Sequence, residues 1–158
     1  MRIPIRYIPF IIVFAVVVFG AAAIIINYQN KKLIEAGIMR KRALYFFKRK
    51  YIFKSKLLDL KSIYDAIDKS YMDSEGIVCQ LKESQSSIVM WGKSVDNETT
   101  VVFTSKGGKN YDVEFEFYVE DVEGYPIERY INVFLTSVEK AFEQLDPDYK
   151  GSSEPFLK

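Results

Sequence analysis

The stretch YDVEFEFYV, residues 111–119, alternates apolar and polar side chains along its whole length. A period of two is typical of a β-strand with one buried face and one solvated face. We therefore expect Phe115 and Phe117 to point into a core, and Glu114 and Glu116 to point into water. A lone strand is not stable in water, so neighbouring segments must supply the rest of a sheet and a layer over its apolar face.

Three further strands are predicted upstream of this stretch. The runs IVCQLK, SIVMWG and TVVFTS are short, rich in β-branched residues and separated by turn-forming residues. The sequence KGGKN, residues 106–110, is a hairpin signal directly before the quoted strand. Because every connection is short, the four strands are predicted to form an antiparallel meander.

Helical patterns lie on both sides of the predicted strands. Residues 57–72 and residues 126–145 each place apolar side chains at the 3.6-residue spacing of an amphipathic helix, and the second pattern is the stronger. Pro147 ends the second helix, and residues 147–158 are predicted to be a flexible tail. The sequence thus predicts a small acidic α+β domain over residues 57–146, with helices packed on the apolar face of the sheet.

This order of helix, strands and helix is similar to the layout of membrane-anchored cystatin-like and NTF2-like domains. It is also similar to the domain of mitochondrial import and oxidase-assembly factors. The similarity lies in architecture alone, because no motif in this sequence selects one of these families.

A long apolar run stands at the N-terminus. Residues 8–26, IPFIIVFAVVVFGAAAIII, carry no charge, and as a helix they would extend about 28 Å, close to a hydrocarbon core of about 30 Å. We expect a transmembrane helix over residues 8–28, after a short tail of residues 1–7. A cleaved signal peptide is the alternative, since Arg2 and Arg6 precede the run and an A-x-A site lies within it. Cleavage there would leave three isoleucines near the new N-terminus, which favours a permanent anchor.

Charge divides the chain into a basic part and an acidic part. Residues 1–56 contain twelve Lys or Arg and one acidic residue, whereas residues 57–158 contain ten Lys or Arg and twenty acidic residues. Ten of the basic residues lie between Lys31 and Lys56, after the apolar run. The positive-inside rule therefore favours an integral, single-pass membrane protein with its C-terminal domain in the cytoplasm, and an exoplasmic or periplasmic domain is the alternative.

The basic residues continue into KRALYFFKRKYIFKSK, residues 41–56. No proline interrupts residues 29–56, which are predicted to form a basic juxtamembrane connector helix. Because a bilayer is close, its cations are predicted to bind anionic lipid headgroups. These cations are Arg40, Lys41, Arg42, Lys48, Arg49, Lys50 and Lys54. Two alternatives are a core helix with a charged outer face and a nucleic-acid-binding segment; lipid phosphate is nearer than nucleic acid.

Few residues suggest catalytic chemistry. The chain has no histidine and one cysteine, so it lacks the usual general base and the usual zinc ligand, and it cannot form an intramolecular disulfide. Cys79 alternates with apolar neighbours and is predicted to be a buried structural thiol. Trp91, in a predicted central strand, is expected to pack in the core. Neither a cofactor nor an enzymatic activity is expected.

Acidic side chains are the better candidates for a binding surface. Glu114 and Glu116 lie on the predicted wet face, and Glu120, Asp121 and Glu123 follow directly. We predict that these five residues contact a basic protein partner. An ordinary solvated surface is the alternative, because no spacing here matches a calcium-binding loop.

The sequence therefore predicts a membrane-anchored interaction module. Its role would be that of an accessory subunit, an assembly factor or an immunity-type protein that binds a protein partner at the membrane. Anionic lipid is the second expected partner. A membrane enzyme that uses carboxylates and a nucleic-acid-binding membrane protein are the alternatives.

Overall fold

The computed structural model describes residues 8–56, 59–94, 97–106, 113–122 and 128–156, with side chains for all of these except 8–9, 92–94, 97–100 and 121–122. The chain divides into two compact units, Met1–Gly37 and Ile38–Lys158. Most of the predicted hairpin signal and the first two residues of the quoted strand, 111 and 112, lie outside the described residues.

The described part of the first unit is one helix, α1 (Ile8–Glu35), with 28 residues and a length of about 42 Å. Its segment Phe10–Glu35 is long and apolar enough to cross a membrane, and none of its most apolar window is buried. After the helix, Gly37 takes the left-handed conformation (φ 70°) and donates its N–H to the Ile34 carbonyl oxygen at 2.9 Å. The predicted long apolar helix is thus confirmed, and it continues for nine residues beyond Ile26.

The second unit is built on one antiparallel sheet. Its six described strands are β1 (Arg49–Ser55), β2 (Val78–Lys82), β3 (Ser87–Ser94), β4 (Asn97–Ser105), β5 (Val113–Val122) and β6 (Lys150–Pro155). Their order across the sheet is β2-β3-β4-β5-β1-β6. The predicted meander is present as β2 to β5, and the antiparallel sheet is confirmed. Two further strands extend the sheet beyond the predicted four.

The described helices of this unit are α2 (Leu60–Ala66), α3 (Ser70–Ser74) and α4 (Glu128–Leu145), so the predicted α+β class is confirmed. Helix α4 lies on the sheet, and α2 and α3 contact α4. Helix α2 begins where the Asp59 carboxylate accepts the N–H of Ser62 at 2.7 Å. This is the usual N-cap arrangement, in which a side-chain oxygen satisfies an otherwise unpaired backbone donor.

The connector helix predicted over residues 29–56 is wrong beyond α1. Its last part is strand β1, which lies between β5 and β6. Cations in this segment obscured a period of two, in which aromatic residues face the core and lysines face outwards. On the inner face Phe53 pairs with Phe115, and on the outer face Lys54 pairs with Glu114. These cross-strand pairs join apolar to apolar and opposite charges to each other.

The prediction of a flexible tail after Pro147 is also wrong for its described part. Strand β6 pairs with β1 along its whole length, from Lys54 opposite Lys150 to Arg49 opposite Pro155. The sequence KGSSEP has no apolar pattern and all six residues are exposed. The strand therefore forms because β1 offers an open edge, and its own β-propensity contributes little.

Helix α4 is the centre of the core. Eight consecutive residues, 131–138, are buried, which requires cover on more than one side of the helix. The sheet covers one side, where Phe142 stacks on Phe53 with ring centroids 4.9 Å apart. Helices α2 and α3 and residues 39–46 contact α4 elsewhere, and Met39 and Phe46 of that segment are buried.

Replacing Phe53 by alanine tests whether the basic segment belongs to the core. Phe53 is fully buried and contacts the rings of Phe103, Phe142 and Tyr149. The Phe53→Ala variant should lose about 3–5 kcal/mol of unfolding free energy, the usual cost of removing a buried phenylalanine. The measurement is denaturant unfolding of the full chain in detergent, followed by fluorescence of its tryptophan.

Leu44→Ala is the matched control for this variant. Leu44 belongs to the same basic segment but is exposed, so its truncation should cost no more than about 0.5 kcal/mol. Equal and small losses for both variants would contradict the placement of β1 in the sheet.

Candidate interaction surface

The outer face of the sheet is the face turned away from α4. Its described side chains include Val89 and Trp91 of β3, Val102 and Thr104 of β4, Glu114, Glu116 and Tyr118 of β5, Lys50, Ile52 and Lys54 of β1, and, on the edge strands, Val78, Gln80 and Lys82 of β2 and Ser152 and Glu154 of β6. The face is charged over β1 and β5 and apolar over β3 and β4. The predicted alternation of β5 is right in direction, because Phe115 and Phe117 are buried on the inner side.

The expectation that the Glu116 side chain points into water is wrong. The residue is only 4% exposed. Lys50 Nζ lies 3.0 Å from Glu116 Oε1, and Lys106 Nζ lies 2.6 Å from Oε2. The two lysine side chains reach across from β1 and from the residue after β4, and thereby cover the carboxylate while pairing with it.

The charge of Glu116 is held in place by these contacts. Burial alone would raise the pKa of the Glu116 carboxyl, but hydrogen bonds from Lys106 and Lys50 outweigh it and leave the pKa below its ordinary value. Hydrogen bonds to Glu154 and Glu116 raise the pKa of Lys50 in turn. At neutral pH the centre of the outer face is therefore a set of opposite charges that neutralise one another.

Glu114 is engaged in the same way at the end of β1. Its Oε2 lies 3.1 Å from Lys54 Nζ, and its side chain is half-exposed. Two of the glutamates predicted to bind a protein are thus paired with two of the lysines predicted to bind lipid. The pairing follows from the register, which sets Lys54 opposite Glu114 and Ile52 opposite Glu116.

The rest of the predicted acidic set lies at the far end of β5. Glu120 is exposed, and Asp121 pairs with Thr100 in the β4–β5 ladder. The side chain of Asp121 and the whole of Glu123 lie outside the described residues. Beside this end, the half-exposed Tyr118 packs against Phe156 with ring centroids 5.3 Å apart. Aromatic side chains are enriched at protein interfaces.

Arg42 is held on α4 by a bidentate ion pair. Its Nη2 lies 2.7 Å from Glu139 Oε2, its Nη1 lies 3.1 Å from Glu139 Oε1, and its Nε donates to Asn132 Oδ1 at 2.8 Å. The side chains of Arg42 and Glu139 are only 11% and 12% exposed. The guanidinium of Arg42 thus binds a carboxylate and an amide of α4, and these contacts hold it within the domain.

Arg40 extends the same contact. Its Nη2 lies 2.6 Å and 2.7 Å from the two carboxylate oxygens of Glu143, and its backbone N–H donates to Thr136 Oγ1 at 3.1 Å. Asn132 Nδ2 in turn donates to the Arg40 carbonyl oxygen at 2.8 Å. Polar groups of α4 are satisfied by the basic segment, as buried polar groups must be.

The sequence interpretation missed these four partners on α4. Asn132, Thr136, Glu139 and Glu143 are separated by four, three and four residues, so they form one polar stripe along the helix. The stripe lies beside the apolar one and marks a polar contact. A signal for the docking of a basic segment was therefore present in the sequence, although the identity of that segment was not.

The remaining predicted cations divide into two groups. Arg49 donates to the hydroxyl and the carbonyl oxygen of Ser153 at 3.1 Å and 2.9 Å. Lys41 and Lys48, by contrast, are exposed, and Lys48 Nζ lies 5.1 Å from the centre of the Tyr45 ring. Five of the seven cations thus have partners within the domain, and the binding of lipid by the set stays a prediction.

Two residues singled out for chemistry have ordinary structural roles. Cys79 is half-buried, and burial raises the pKa of its thiol to about 11, so the thiol is protonated at neutral pH and a poor nucleophile. Trp91 was expected in the core, but it lies on the outer face and is partly exposed, with Lys82 Nζ 6.0 Å from its ring centre.

The described residues contain no group of three His, Cys, Asp or Glu side chains that could hold a metal ion. An open cleft of about 490 Å³ lies beside α2, and Asp59 and Lys61 line part of it. Asp59 already accepts the N–H and the hydroxyl of Ser62, at 2.7 Å and 3.0 Å. These bonds lower the pKa of the Asp59 carboxyl, which fits a helix cap better than a proton-transfer group.

Comparison of the chain with known protein families, with characterised proteins and with solved structures finds no match. Its function must therefore be argued from its own chemistry. Three features stand out among the described residues: an exposed apolar helix, an outer sheet face with paired charges, and a short part of the basic segment whose cations face water.

Reversing the charge of Glu116 should destabilise the domain strongly. A lysine at this buried position would face Lys50 and Lys106 with no carboxylate between them, and breaking a buried pair costs about 3–5 kcal/mol. Glu114→Lys is the matched control, because that side chain is half-exposed and such pairs contribute no more than about 1 kcal/mol. Unfolding free energies of the two variants in detergent provide the comparison, and equal values would contradict the buried pair.

Acid titration gives a second readout for Glu116. Because its pKa in the folded chain lies below the unfolded value of about 4.3, its contribution to stability is full above that pH. The contribution is lost as pH falls from there through the folded pKa. The Glu116→Gln variant should therefore lose less stability than the wild type between neutral and acid pH, and parallel curves would contradict the assignment.

Proposed function

We propose that the chain is a single-pass membrane protein that holds its α+β domain at the membrane surface, where the domain binds a protein partner. The observation that carries this proposal is the apolar helix α1, whose most apolar window is not buried by any part of the described chain. Thirteen of the nineteen residues 8–26 are Ile, Val or Phe. At about 0.3–0.6 kcal/mol each, they favour insertion by about 4–8 kcal/mol.

Chain lengths favour a domain close to the bilayer. The nine helical residues after Ile26 extend about 14 Å, enough to cross the headgroup layer. Met39, the first buried residue of the second unit, follows Glu35 by four residues, which can add at most about 14 Å. A domain on so short a tether works on partners that are themselves at or in the membrane.

The acidic end of β5 is the proposed contact for that partner. Lysines neutralise Glu114 and Glu116, so the proposed contact lies at the far end of β5, where the Glu120 side chain is exposed. Tyr118 and Phe156 supply apolar area beside it. An aromatic centre with a charged rim suits a specific and reversible protein contact.

The contacts of the basic segment favour this function over nucleic-acid binding. A nucleic-acid site would need its cations available to phosphate. Five of the seven, including Arg42 and Lys50, instead bind carboxylates or Ser153. We also propose a cytoplasmic placement of the domain, because residues 31–56, soon after the apolar run, contain ten basic residues and only two precede it.

Extraction and protease treatment of membranes test the anchor and its orientation together. The full chain should stay in the membrane pellet after alkaline carbonate and high salt, since an inserted helix is not released by loss of charge attraction. In sealed cells or right-side-out vesicles, external protease should leave the domain intact until the membrane is lysed. Release of the whole chain by carbonate would contradict a spanning helix, and digestion without lysis would reverse the orientation.

Charge reversal at the acidic end tests the partner contact. Glu120→Lys combined with Glu123→Lys should reduce recovery of proteins that co-purify with the wild-type chain from gently solubilised membranes by at least about tenfold, because like charges then face each other. Asp65→Lys is the matched control, as Asp65 is an exposed acid on α2. Unchanged recovery with the double variant would exclude the acidic end of β5 as the contact, provided both variants unfold like the wild type.

A further inference from the structure

The basic tip, residues 41–48, carries the most exposed large apolar side chains described in the second unit. Leu44 is 76% exposed and Tyr45 is 55% exposed. The residues on either side of them are fixed, since Arg42 is bound to Glu139 and Phe46 is buried. Leu44 and Tyr45 are therefore displayed by an anchored turn.

The backbone of the basic tip presents these side chains in an unusual conformation. Tyr45 has φ 60° and ψ 24°, the left-handed region, which costs a residue with a side chain about 1–2 kcal/mol and is normally occupied by Gly or Asn. Hydrogen bonds from Phe46 N–H to Ala43 O and from Lys48 N–H to Tyr45 O hold the turn. The turn is thus built to project apolar groups that are costly to leave in water.

The charged side chains within the basic tip are all of one sign. Lys41 and Lys48 are exposed, and Lys48 Nζ lies over the Tyr45 ring. No acidic residue occurs between Glu35 and Asp59. An apolar and aromatic centre flanked by cations is the composition of segments that lie in the interface of an anionic bilayer. The aromatic ring and the long lysine stems suit the boundary between headgroups and acyl chains.

We propose that the basic tip is a second membrane contact of this protein, in which Leu44 and Tyr45 enter the interface and Lys41 and Lys48 bind anionic headgroups. The proposal rests on α1 spanning the bilayer. Only residues 36–38 separate α1 from the fixed segment, and Leu44 follows the buried Met39 by five residues, at most about 18 Å, so the tether allows the tip to meet the same bilayer. Two attached points would fix the orientation of the domain, whereas a single tether leaves it free to rotate.

Attachment by α1 makes even a weak contact effective. A tethered site experiences an effective concentration in the millimolar range, so two apolar side chains and two cations suffice without high intrinsic affinity. Only some cations of the basic segment take part in this contact. Arg40, Arg42, Lys50 and Lys54 stabilise the domain through their ion pairs, and Lys41 and Lys48 face the lipid.

Fluorescence of the full chain in nanodiscs tests the proposal. In a Cys79→Ala background, Ala43→Cys carries a polarity-sensitive dye within the basic tip, and Asp65→Cys carries it on an exposed part of α2. The bilayer is phosphatidylcholine with about one third phosphatidylserine and a trace of headgroup-proximal spin-labelled lipid. Quenching at position 43 should exceed that at position 65 by at least about threefold.

Two further variants assign the contact. Adding Leu44→Glu with Tyr45→Ser should reduce quenching at position 43 to the level at position 65, although the fold is kept because both side chains are exposed. Lys41→Gln with Lys48→Gln should reduce quenching in anionic discs and leave pure phosphatidylcholine discs unchanged, which separates headgroup charge from apolar insertion. Unchanged quenching at position 43 in both disc types for every variant would overturn the assignment.

The outcomes separate this inference from the proposed function. Equal quenching at positions 43 and 65 in a chain that resists carbonate extraction would overturn the second contact and leave the anchor standing. A blue-shifted dye at position 43 without lipid quenching would show a protein contact at the tip and overturn the lipid assignment. Failure of the chain to remain in the bilayer would overturn both proposals.

Discussion

The ion pair between Arg42 and Glu139 is the contact on which the arrangement of the second unit depends. Two charges removed from water stay stable only while they stay together, and loss of one partner from such a pair costs about 3–5 kcal/mol. Asn132 completes the site, because its Oδ1 accepts a hydrogen bond from Nε of the Arg42 guanidinium. The pair thereby fixes residues 39–46 across α4 and sets the point from which β1 enters the sheet.

Once β1 lies between β5 and β6, the opposite charges of the two halves of the chain meet inside one domain. Lys50 and Lys54 reach Glu116 and Glu114, and Arg40 and Arg42 reach the acids of α4. The division into a basic and an acidic half therefore describes how the domain is joined together. If the basic half and the acidic half formed two separate surfaces, each set of charges would need a partner outside the domain.

Two exposed surfaces of the domain are small and distinct. The basic tip has two exposed lysines beside Leu44 and Tyr45, and the far end of β5 has the exposed Glu120 and the ring pair of Tyr118 and Phe156. They are the two surfaces at which we propose that lipid and a protein partner bind. The stable centre of the outer sheet face, with its paired charges, serves as the scaffold that separates them.

Periodicities along the chain were sufficient to predict α1, α4, the meander β2 to β5 and the inner face with Phe115 and Phe117, because such patterns are local and each can be recognised within one segment. The same reasoning failed for β1 and β6. KGSSEP is a strand only beside β1, and RKYIFKS shows its period of two only when its lysines are known to have partners. Those partners are far away in sequence: Lys50 and Glu116 are 66 residues apart, and Arg42 and Glu139 are 97 apart. The tertiary structure therefore decided which cations are buried in ion pairs and which remain exposed. Ion pairing depends on distances in space, whereas the sequence gives the charges but not the residues that lie near them.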